Sequence, residues 1–246
     1  MVSLVAKPFI DTGEIMDIFA SIPRKPLARK PVSRGVYECS KAVRVYELDL
    51  SSPVISKIPR CGIVYYTFQN DQLYFCFGRD RISRDLTDFG GQRKYLETPI
   101  ECAVREGNEE ARFAFGELTP ENVQWFWCLY NSQMMIIFVH VATGNGENIF
   151  NLTIDNFNSA KMIPSQYIHM KAGTITISRC CDEISEMIWL NEDQIDDILS
   201  SSSRIKIYTP VKRFIRSCPQ FKKSGADIRH WFQQINDLNQ INTVTP

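Results

Sequence analysis

The sequence predicts a mixed α/β domain in which strands surround one well-defined helix. Stretches rich in β-branched and aromatic residues form candidate strand pairs before and after this helix. The helix carries a capping signal at its start and an apolar stripe on one face, so that face should pack against a sheet. These two observations establish the fold class before any functional residue is considered.

The strands follow from local composition and from the turns between them. Residues 62–68 and 73–77 are strand-like, and the residues between them include Asn and Asp, which predicts a β-hairpin. A further strand is predicted over 86–91, where it ends in two glycines. Residues 123–128 and 134–141 predict a second strand pair across a turn.

The helix between the strand pairs has the clearest boundaries in the sequence. Thr98 can cap its N-terminus, Pro99 suits the first helical position, and Glu101 completes a T-x-x-E capping box. Its buried face is predicted to consist of Ile100, Val104, Gly107 and Ala111. Gly116 is the expected end of the helix.

The regions around this core are polar or basic. Residues 1–60 lack periodicity and are interpreted as an N-terminal arm packed on the core; the basic stretch 24–34 is either a solvated loop or a contact for a polyanion. The main domain then spans 61–200, with an inserted loop or lid at about 142–172. Residues 201–246 form a basic helical extension, with eight basic residues against one acid over 204–229.

Composition excludes several classes of protein. The chain has 246 residues, and 28 Lys and Arg balance 28 Asp and Glu, so net charge indicates neither nucleic acid nor membrane as a partner. No apolar run approaches the ~18 residues of a spanning helix, and charged residues interrupt any signal-peptide core. We expect a soluble, cytoplasmic protein. The eight cysteines form no C-x-x-C pair and the three histidines are scattered, so reduced thiols are expected and zinc is not indicated.

Three acids on the capped helix are the first candidates for chemistry. At 100° per residue, Glu106, Glu109 and Glu110 fall within an arc of about 100°. Like charges this close repel one another, and a bound divalent cation would remove the repulsion. Carboxylate oxygens suit Mg²⁺ or Mn²⁺. A solvated acidic face is the alternative that these three residues leave open.

The spacing around these acids resembles the Nudix box, G-x5-E-x7-R-E-U-x-E-E-x-G-U, in which U is a bulky apolar residue. The matching positions are Gly91, Glu97, Arg105, Glu106, Glu109, Glu110 and Phe113. Gly107 and Arg112 depart from the pattern, since a bulky apolar residue and a glycine are usual there. Residues 182–190 also resemble the acid-then-Trp segment late in many family members. The resemblance covers roughly 60–200 and implies an α/β/α sandwich with a mixed central sheet, to which the arm, the insertion and the C-terminal helices are added.

The resemblance also implies an activity. Nudix proteins use a divalent metal ion to hydrolyse a nucleoside diphosphate linked to another group. By position, the metal ligands would be Glu106, Glu109, Glu110 and the backbone carbonyl of Gly90, with Mg²⁺ or Mn²⁺ as cofactor. Glu106 and Glu110 would be catalytic, and Arg105 would hold the catalytic acids in place.

A further carboxylate is expected from the late segment, as ligand or general base. Glu183 and Glu186 are the candidates, and Glu186 is slightly preferred because it lies three residues before Trp189. Three arginines are weaker candidates, namely Arg79, Arg81 and Arg84. They could contact substrate phosphates or lie in a solvated loop. Aromatic residues that could stack on a base, but that are expected mainly in the core, are Tyr65, Tyr66, Phe75, Trp125 and Trp127.

The leaving group is not specified by the box. The basic N- and C-terminal segments could follow an RNA backbone, which makes removal of an mRNA cap a candidate reaction. Small nucleotides, such as nucleotide sugars or dinucleoside polyphosphates, are an equal candidate. The opposed hypothesis is a nucleotide- or RNA-binding module that keeps the fold without efficient turnover, which Gly107 and Arg112 favour.

Overall fold

The computed structural model describes residues 40–123, 126–142, 148–162, 166–171, 174–179, 183–199, 205–222 and 224–239. The basic stretch 24–34, Trp125, Arg204 and Lys223 lie outside these ranges. Within them, no helix is long and apolar enough to cross a membrane. The five cysteines of this part of the chain, Cys61, Cys76, Cys102, Cys128 and Cys218, are free and buried, as expected for reduced thiols.

The described part of the chain contains ten strands and six α-helices. The strands are β1 (Lys41–Arg44), β2 (Arg60–Gln69), β3 (Gln72–Asp80), β4 (Leu86–Thr87), β5 (Phe89–Gln92), β6 (Trp127–Tyr130), β7 (Met134–His140), β8 (Gln166–Lys171), β9 (Thr174–Arg179) and β10 (Ile184–Asn191). The helices are α1 (Pro99–Glu110), α2 (Pro120–Val123), α3 (Ile149–Met162), α4 (Glu192–Leu199), α5 (Thr209–Ser217) and α6 (Gly225–Asn239).

Eight of the strands form one mixed sheet, in the order β1-β6-β7-β2-β3-β10, with β4 on β3 and β5 on β2. The β2–β7 pair is parallel and the other pairs are antiparallel. Strand β2 changes partner along one edge: its first residues pair with β5 and its last residues with β3. This change of partner brings β5, and the glycines in it, against the beginning of β2. Strands β8 and β9 form a separate hairpin.

The sheet has an apolar core on each face, which confirms the predicted α/β/α sandwich. Alternate residues of β2 point to opposite faces, so Ile63 and Tyr65 lie in one core while Val64 and Tyr66 lie in the other. Helices α1 and α3 cover the first face. Helices α4, α5 and α6 cover the second. Tyr65, Tyr66 and Phe75 are fully buried, so they act as core residues.

The first hairpin forms as predicted, and the second strand pair begins later than predicted. Asn70 and Asp71 make the turn between β2 and β3 with positive φ angles of 52° and 58°, which these residues tolerate. The predicted strand 123–128 was wrong at its start, because Val123 ends helix α2. Helix α2 is capped at its start by Thr119, whose hydroxyl accepts a hydrogen bond from Asn122 N–H (3.3 Å). The predicted strand 86–91 is divided into β4 and β5 at Asp88.

Helix α1 ends earlier than predicted. It stops at Glu110, and the chain then turns through Arg112 and Phe113 with φ angles of 53° and 57°. Gly116 also has a positive φ (78°), but it lies beyond this turn. The prediction that Gly116 ends the helix was therefore wrong: Arg112 takes up the left-handed conformation that a glycine usually supplies.

The segment predicted as an inserted loop or lid contains a docked helix. Phe157 of α3 is fully buried in the first core, and Thr153 is buried as well. The Trp189 indole N–H donates to the Thr153 hydroxyl at 3.1 Å, which ties α3 to β10. A lid needs few buried contacts, so the prediction of a lid was wrong for residues 149–162.

Residues before β2 also belong to the packed structure. Strand β1 pairs with β6 at the edge of the sheet. The following residues place four side chains in the first core, namely Val45, Leu48, Ile55 and Ile58. This segment lies beside the loop that joins β5 to α1, because Arg93 N–H donates to the carbonyl oxygen of Pro59 at 2.9 Å.

Candidate active site

Helix α1 begins with a capping box that fixes its first turn. The Thr98 hydroxyl accepts a bond from Glu101 N–H (3.2 Å), and the Glu101 carboxylate accepts one from Thr98 N–H (2.7 Å). Pro99 occupies the first helical position, where its missing N–H leaves no hydrogen bond unmade. Local sequence therefore sets the start of the helix, and with it the directions in which the later acids project.

Arg105 lies among the acids and holds three of them. Its Nε donates to Glu97 Oε1 at 2.7 Å, and its Nη1 donates to Glu106 Oε1 at 2.6 Å and to Glu109 Oε2 at 3.2 Å. Its Nη2 donates to the carbonyl oxygen of Gln92 at 3.2 Å. Charge-assisted bonds of this kind restrict the rotamers of the carboxylates, so Arg105 orients the acids of α1 relative to β5.

Glu110 contacts the paired glycines of β2 and β5. Its Oε2 accepts a bond from Gly90 N–H at 2.7 Å, and the residue is only 7% exposed. A Cβ atom on Gly90 would lie 2.6 Å from the Cα of Gly62, and one on Gly91 would lie 2.6 Å from Glu106 Oε1. Glycine is needed at residue 90 because the backbone of Gly62 occupies the space of a side chain, whereas a side chain at residue 91 would require the Glu106 carboxylate to move.

An ion pair beside Glu110 completes this region, and the sequence did not reveal it. Arg60 Nη1 and Nη2 donate to the two carboxylate oxygens of Asp88, both at 2.7 Å, and Nη2 also donates to the carbonyl oxygen of Gly90 at 2.9 Å. The Asp88 side chain is fully buried. Asp88 between two short strands was a visible signal for a buried acid, but its partner lies 28 residues earlier.

Burial and neighbouring charges disfavour ionised carboxylates at this site. Burial, followed by the negative charges of Asp88 and Glu106, raises the pKa of Glu110 well above its ordinary value. Burial also raises the pKa of Glu106, although Arg105 acts in the opposite direction. An additional cation near these carboxyl groups would favour their charged forms.

The donor atoms fit a divalent cation in their chemistry. Glu106, Glu109 and Glu110 offer carboxylate oxygens and Gly90 offers a carbonyl oxygen, which are the ligands of Mg²⁺ and Mn²⁺. Arg105 is the cation that contacts Glu106 and Glu109, and burial and neighbouring negative charge act against the ionised form of Glu110, which provides a reason to bind a further cation. Within the described ranges, however, no three acidic, histidine or cysteine side chains are grouped closely enough to hold a metal ion as they stand.

Comparisons with known proteins gave similarity to solved structures alone. No family model matches the chain, and no curated protein matches it. A MutT/nudix family protein from Enterococcus faecalis is 11% identical with a TM-score of 0.39, and the match covers 66% of this chain and 61% of that one. A binary complex of the C. elegans Ap4A hydrolase is 15% identical with a TM-score of 0.34, and the match covers 65% of this chain and 93% of that one. A second structure of the C. elegans Ap4A hydrolase is 12% identical with a TM-score of 0.33, and the match covers 65% of this chain and 95% of that one.

The Enterococcus faecalis protein is described as a MutT/nudix family protein, and the Nudix group is the one that the box resembles. In this chain the box runs from the glycines of β5 into the capped helix α1, against a mixed sheet with helices on both faces. The described part of the chain thus has a mixed α/β fold, with helices on both faces of an eight-stranded sheet. Its box retains every acid of the pattern, and these acids meet at the junction of β2, β5 and α1.

The two late acids have different surroundings. Glu186 Oε1 accepts a bond from Arg84 Nη2 at 2.8 Å and pairs with Arg79 Nε at 3.2 Å. Glu183 is exposed, and its negative charge contributes to the raised pKa of Glu110. Glu183 therefore lies close enough to Glu110 for its negative charge to act on that carboxyl group, whereas two guanidinium groups engage Glu186.

The three arginines before the glycine turn lie along the β3–β10 side of the molecule. Arg79 and Arg84 contact Glu186, and Arg84 Nη1 also donates to the Ser185 hydroxyl at 3.1 Å. Arg81 N–H donates to the carbonyl oxygen of Glu183 at 2.7 Å. These contacts place the arginines next to the late acids.

The two departures from the box have structural explanations. A Cβ atom on Gly107 would lie 2.5 Å from Ile63 Cδ1, so Ile63 fills the space of the usual bulky residue. Arg112 stacks over the ring of Phe157 at 4.2 Å and donates to the carbonyl oxygen of Ile184 at 3.0 Å. Both departures therefore reflect packing, and neither removes an acid of the box.

Proposed function

We propose that the chain is a metal-dependent hydrolase that cleaves the pyrophosphate linkage of a nucleoside diphosphate joined to another group. The observation that carries this proposal is the cluster of box acids around Arg105, with Glu110 bonded to the backbone of Gly90. Such a cluster of buried and half-buried acids is costly for the fold, and its expected use is to bind a cation beside a phosphate chain.

The proposed roles follow from the contacts. Glu106, Glu109, Glu110 and the carbonyl of Gly90 would hold Mg²⁺ or Mn²⁺. When bound, the ion would neutralise charge on the phosphate oxygens and lower the pKa of a water molecule. Arg105 keeps Glu106 and Glu109 oriented, and the Gly90 N–H fixes Glu110.

The proton acceptor is proposed from the late segment. Glu183 takes this role because its charge acts on Glu110, while Glu186 is engaged by Arg79 and Arg84. Glu183→Gln should lower kcat with little change in KM, and Glu186→Gln should have the smaller effect. The opposite order would return the role to Glu186.

The proposed reaction is tested by release of phosphate or nucleotide from a panel containing capped RNA, nucleotide sugars and dinucleoside polyphosphates. Each compound is incubated with Mg²⁺ or Mn²⁺, with and without chelator. Glu110→Gln should lower turnover by several orders of magnitude, whereas Glu117→Gln, an exposed acid beyond α1, should behave as wild type. Near-normal activity of Glu110→Gln would remove the proposal.

Capped RNA and small nucleotides both remain proposed substrates. Exposed basic residues that support an RNA partner are Lys206, Arg213, Arg216 and Lys222. Two others have structural contacts: Arg229 pairs with Glu192 at 3.1 Å, and the Lys212 amine donates to the Ile198 carbonyl at 2.8 Å. A steep loss of activity on capped RNA with added salt would support RNA, and no activity on it at low salt would exclude it.

A binding module without turnover is the second candidate. Its support is that the Gly90 carbonyl, proposed as a metal ligand, accepts a bond from Arg60. Nucleotide binding without hydrolysis across the whole panel would favour this candidate.

We also propose that residues 61–200 carry the reaction and that 1–60 and 201–246 are extensions to them, of which the described residues 40–60, 205–222 and 224–239 pack on the core. The core positions of Val45 and Ile58 at one end, and of Phe214 and Phe232 at the other, support this arrangement. A cytoplasmic location is proposed as well, supported by the free cysteines of the described ranges.

A further inference from the structure

A cavity of about 500 Å³ lies beside the box acids, between the segment before β2 and the loop that joins β5 to α1. We call it the loop pocket. The residues that matter for its chemistry are Lys57, Arg93, Lys94, Tyr95, Leu96 and Glu97. Its volume is in the range of small-molecule sites, and a mononucleotide is of suitable size.

The charge of the loop pocket is positive. Lys57, Arg93 and Lys94 line it together with a single acid, Glu97. The carboxylate of Glu97 is already paired with Arg105, at 2.7 Å and 3.1 Å. Burial acts to raise the pKa of Glu97, but the bonds from Arg105 and from Lys94 N–H lower it overall, so this carboxylate is charged and compensated. Three cations therefore face the cavity against an acid that is already neutralised, which suits an anionic ligand.

The rim of the loop pocket presents two large apolar side chains to solvent. Tyr95 is 92% exposed and Leu96 is 84% exposed. The turn that carries them is fixed, because Lys94 N–H donates to Glu97 Oε2 at 2.9 Å and Glu97 N–H donates to the Lys94 carbonyl at 3.2 Å. Leu96 has a φ of 67°, which a branched side chain rarely adopts. A fixed, strained turn that holds a tyrosine in solvent indicates a contact surface for a ligand.

The loop pocket is connected to the box acids through Glu97. The same carboxylate anchors the turn and binds Arg105, which in turn binds Glu106. The charge of Lys94 also acts on Glu106. A ligand in this pocket would therefore lie next to Glu97 and, through Arg105, close to the acids of α1.

We propose that the loop pocket binds the nucleoside phosphate part of the substrate, with the base stacked on Tyr95 and the phosphates contacting Lys57, Arg93 and Lys94. Tyrosine rings provide stacking surfaces for any base, and lysine and arginine bind phosphate oxygens. This inference rests on the proposed function for the reaction, but binding in the pocket needs neither metal nor turnover.

The experiment is calorimetric titration of the full chain with ADP, GDP, CDP and UDP in the presence of chelator. The double variant Lys57→Gln/Lys94→Gln should bind the preferred nucleotide at least tenfold more weakly. The matched control Lys41→Gln removes an exposed lysine outside the pocket and should bind as wild type. Tyr95→Ala should weaken nucleotide binding about tenfold, Tyr95→Phe should restore it, and inorganic phosphate should bind Tyr95→Ala as it binds wild type.

The inference is overturned if wild type binds none of the four nucleotides, or if the double variant binds like its control. The substituted side chains are exposed, so unchanged melting curves can be required of every variant. Loss of nucleotide binding in the double variant, without hydrolysis in the substrate panel, would support the pocket and reject the proposed reaction. Hydrolysis in the substrate panel, together with an unchanged KM in the double variant, would support the proposed reaction and reject the pocket. Displacement of bound nucleotide by capped RNA, but not by uncapped RNA of the same sequence, identifies the ligand as a cap; displacement by neither RNA identifies a free nucleotide.

Discussion

Gly107 and Ile63 provide a quantitative test of how α1 packs on the sheet. An added Cβ at residue 107 would lie 2.5 Å from Ile63 Cδ1 and 3.2 Å from its Cγ1, and Ile63 is fully buried. Overpacking costs about 1–3 kcal/mol, and replacing a helical glycine returns about 1 kcal/mol. We therefore expect Gly107→Ala to lower the free energy of unfolding by about 0–2 kcal/mol.

A larger exchange separates packing from helix propensity. Gly107→Leu, which introduces the residue type usual in the box, should cost about 3 kcal/mol, and Ile63→Ala should cost about 2–5 kcal/mol. In the double variant the new leucine occupies the space left by the isoleucine. The combined cost should therefore be smaller than the sum of the single costs by about 1–3 kcal/mol.

Urea unfolding of the four proteins measures this coupling, provided that the m-values agree. Gly107→Leu combined with Val211→Ala is the control, because Val211 lies in the core on the other face of the sheet. The costs of that pair should add within about 0.5 kcal/mol. If the costs in free energy of unfolding of Gly107→Leu and Ile63→Ala also add, the contact between residues 107 and 63 is refuted.

Three further predictions concern the core, the pH dependence and the acid cluster. Phe157→Ala should lower the free energy of unfolding of the whole domain by about 3–5 kcal/mol in denaturant titrations, because the ring is fully buried. A loss below about 1 kcal/mol would contradict the packing of α3 on the sheet. Burial lowers the pKa of His140 from 6.5 to about 4, so the folded chain binds this proton more weakly than the unfolded chain does. The free energy of unfolding should therefore fall by up to about 3 kcal/mol as the pH drops from 6.5 to 4. His140→Gln should remove that part of the fall, and identical pH profiles for the two proteins would contradict it. Arg105→Lys should lower kcat more than it changes KM, because an ammonium cannot contact Glu97, Glu106 and Glu109 in the same fork; wild-type kcat would contradict the orienting role.

Features that depend on local chemistry were predictable from sequence. The capping box of Thr98 and Glu101 needs residues three positions apart, and both of its hydrogen bonds are present. The turn at Asn70 and Asp71 likewise follows from residue types that tolerate positive φ. Glu106, Glu109 and Glu110 are close together because they share one helix.

Features that depend on distant pairing were not predictable in the same way. Arg60 meets Asp88 because β2 pairs with β5, and a single sequence does not show that pairing. Arg112 adopts a left-handed conformation at a position where glycine is usual, and Phe157 and Ile184 supply the compensating contacts. The helix α3 was missed because its polar residues obscure the few apolar positions that dock it, of which Phe157 is fully buried.

Equilibrium binding of Mn²⁺, followed by the loss of the free-ion electron paramagnetic resonance signal, addresses the role of the α1 acids without requiring a substrate. The account predicts saturable binding to the wild-type chain and at least tenfold weaker binding to Glu110→Gln, with Glu117→Gln unchanged. Equal Mn²⁺ affinity in all three proteins, or no saturable binding to any of them, would contradict the assignment of the box acids as a cation site.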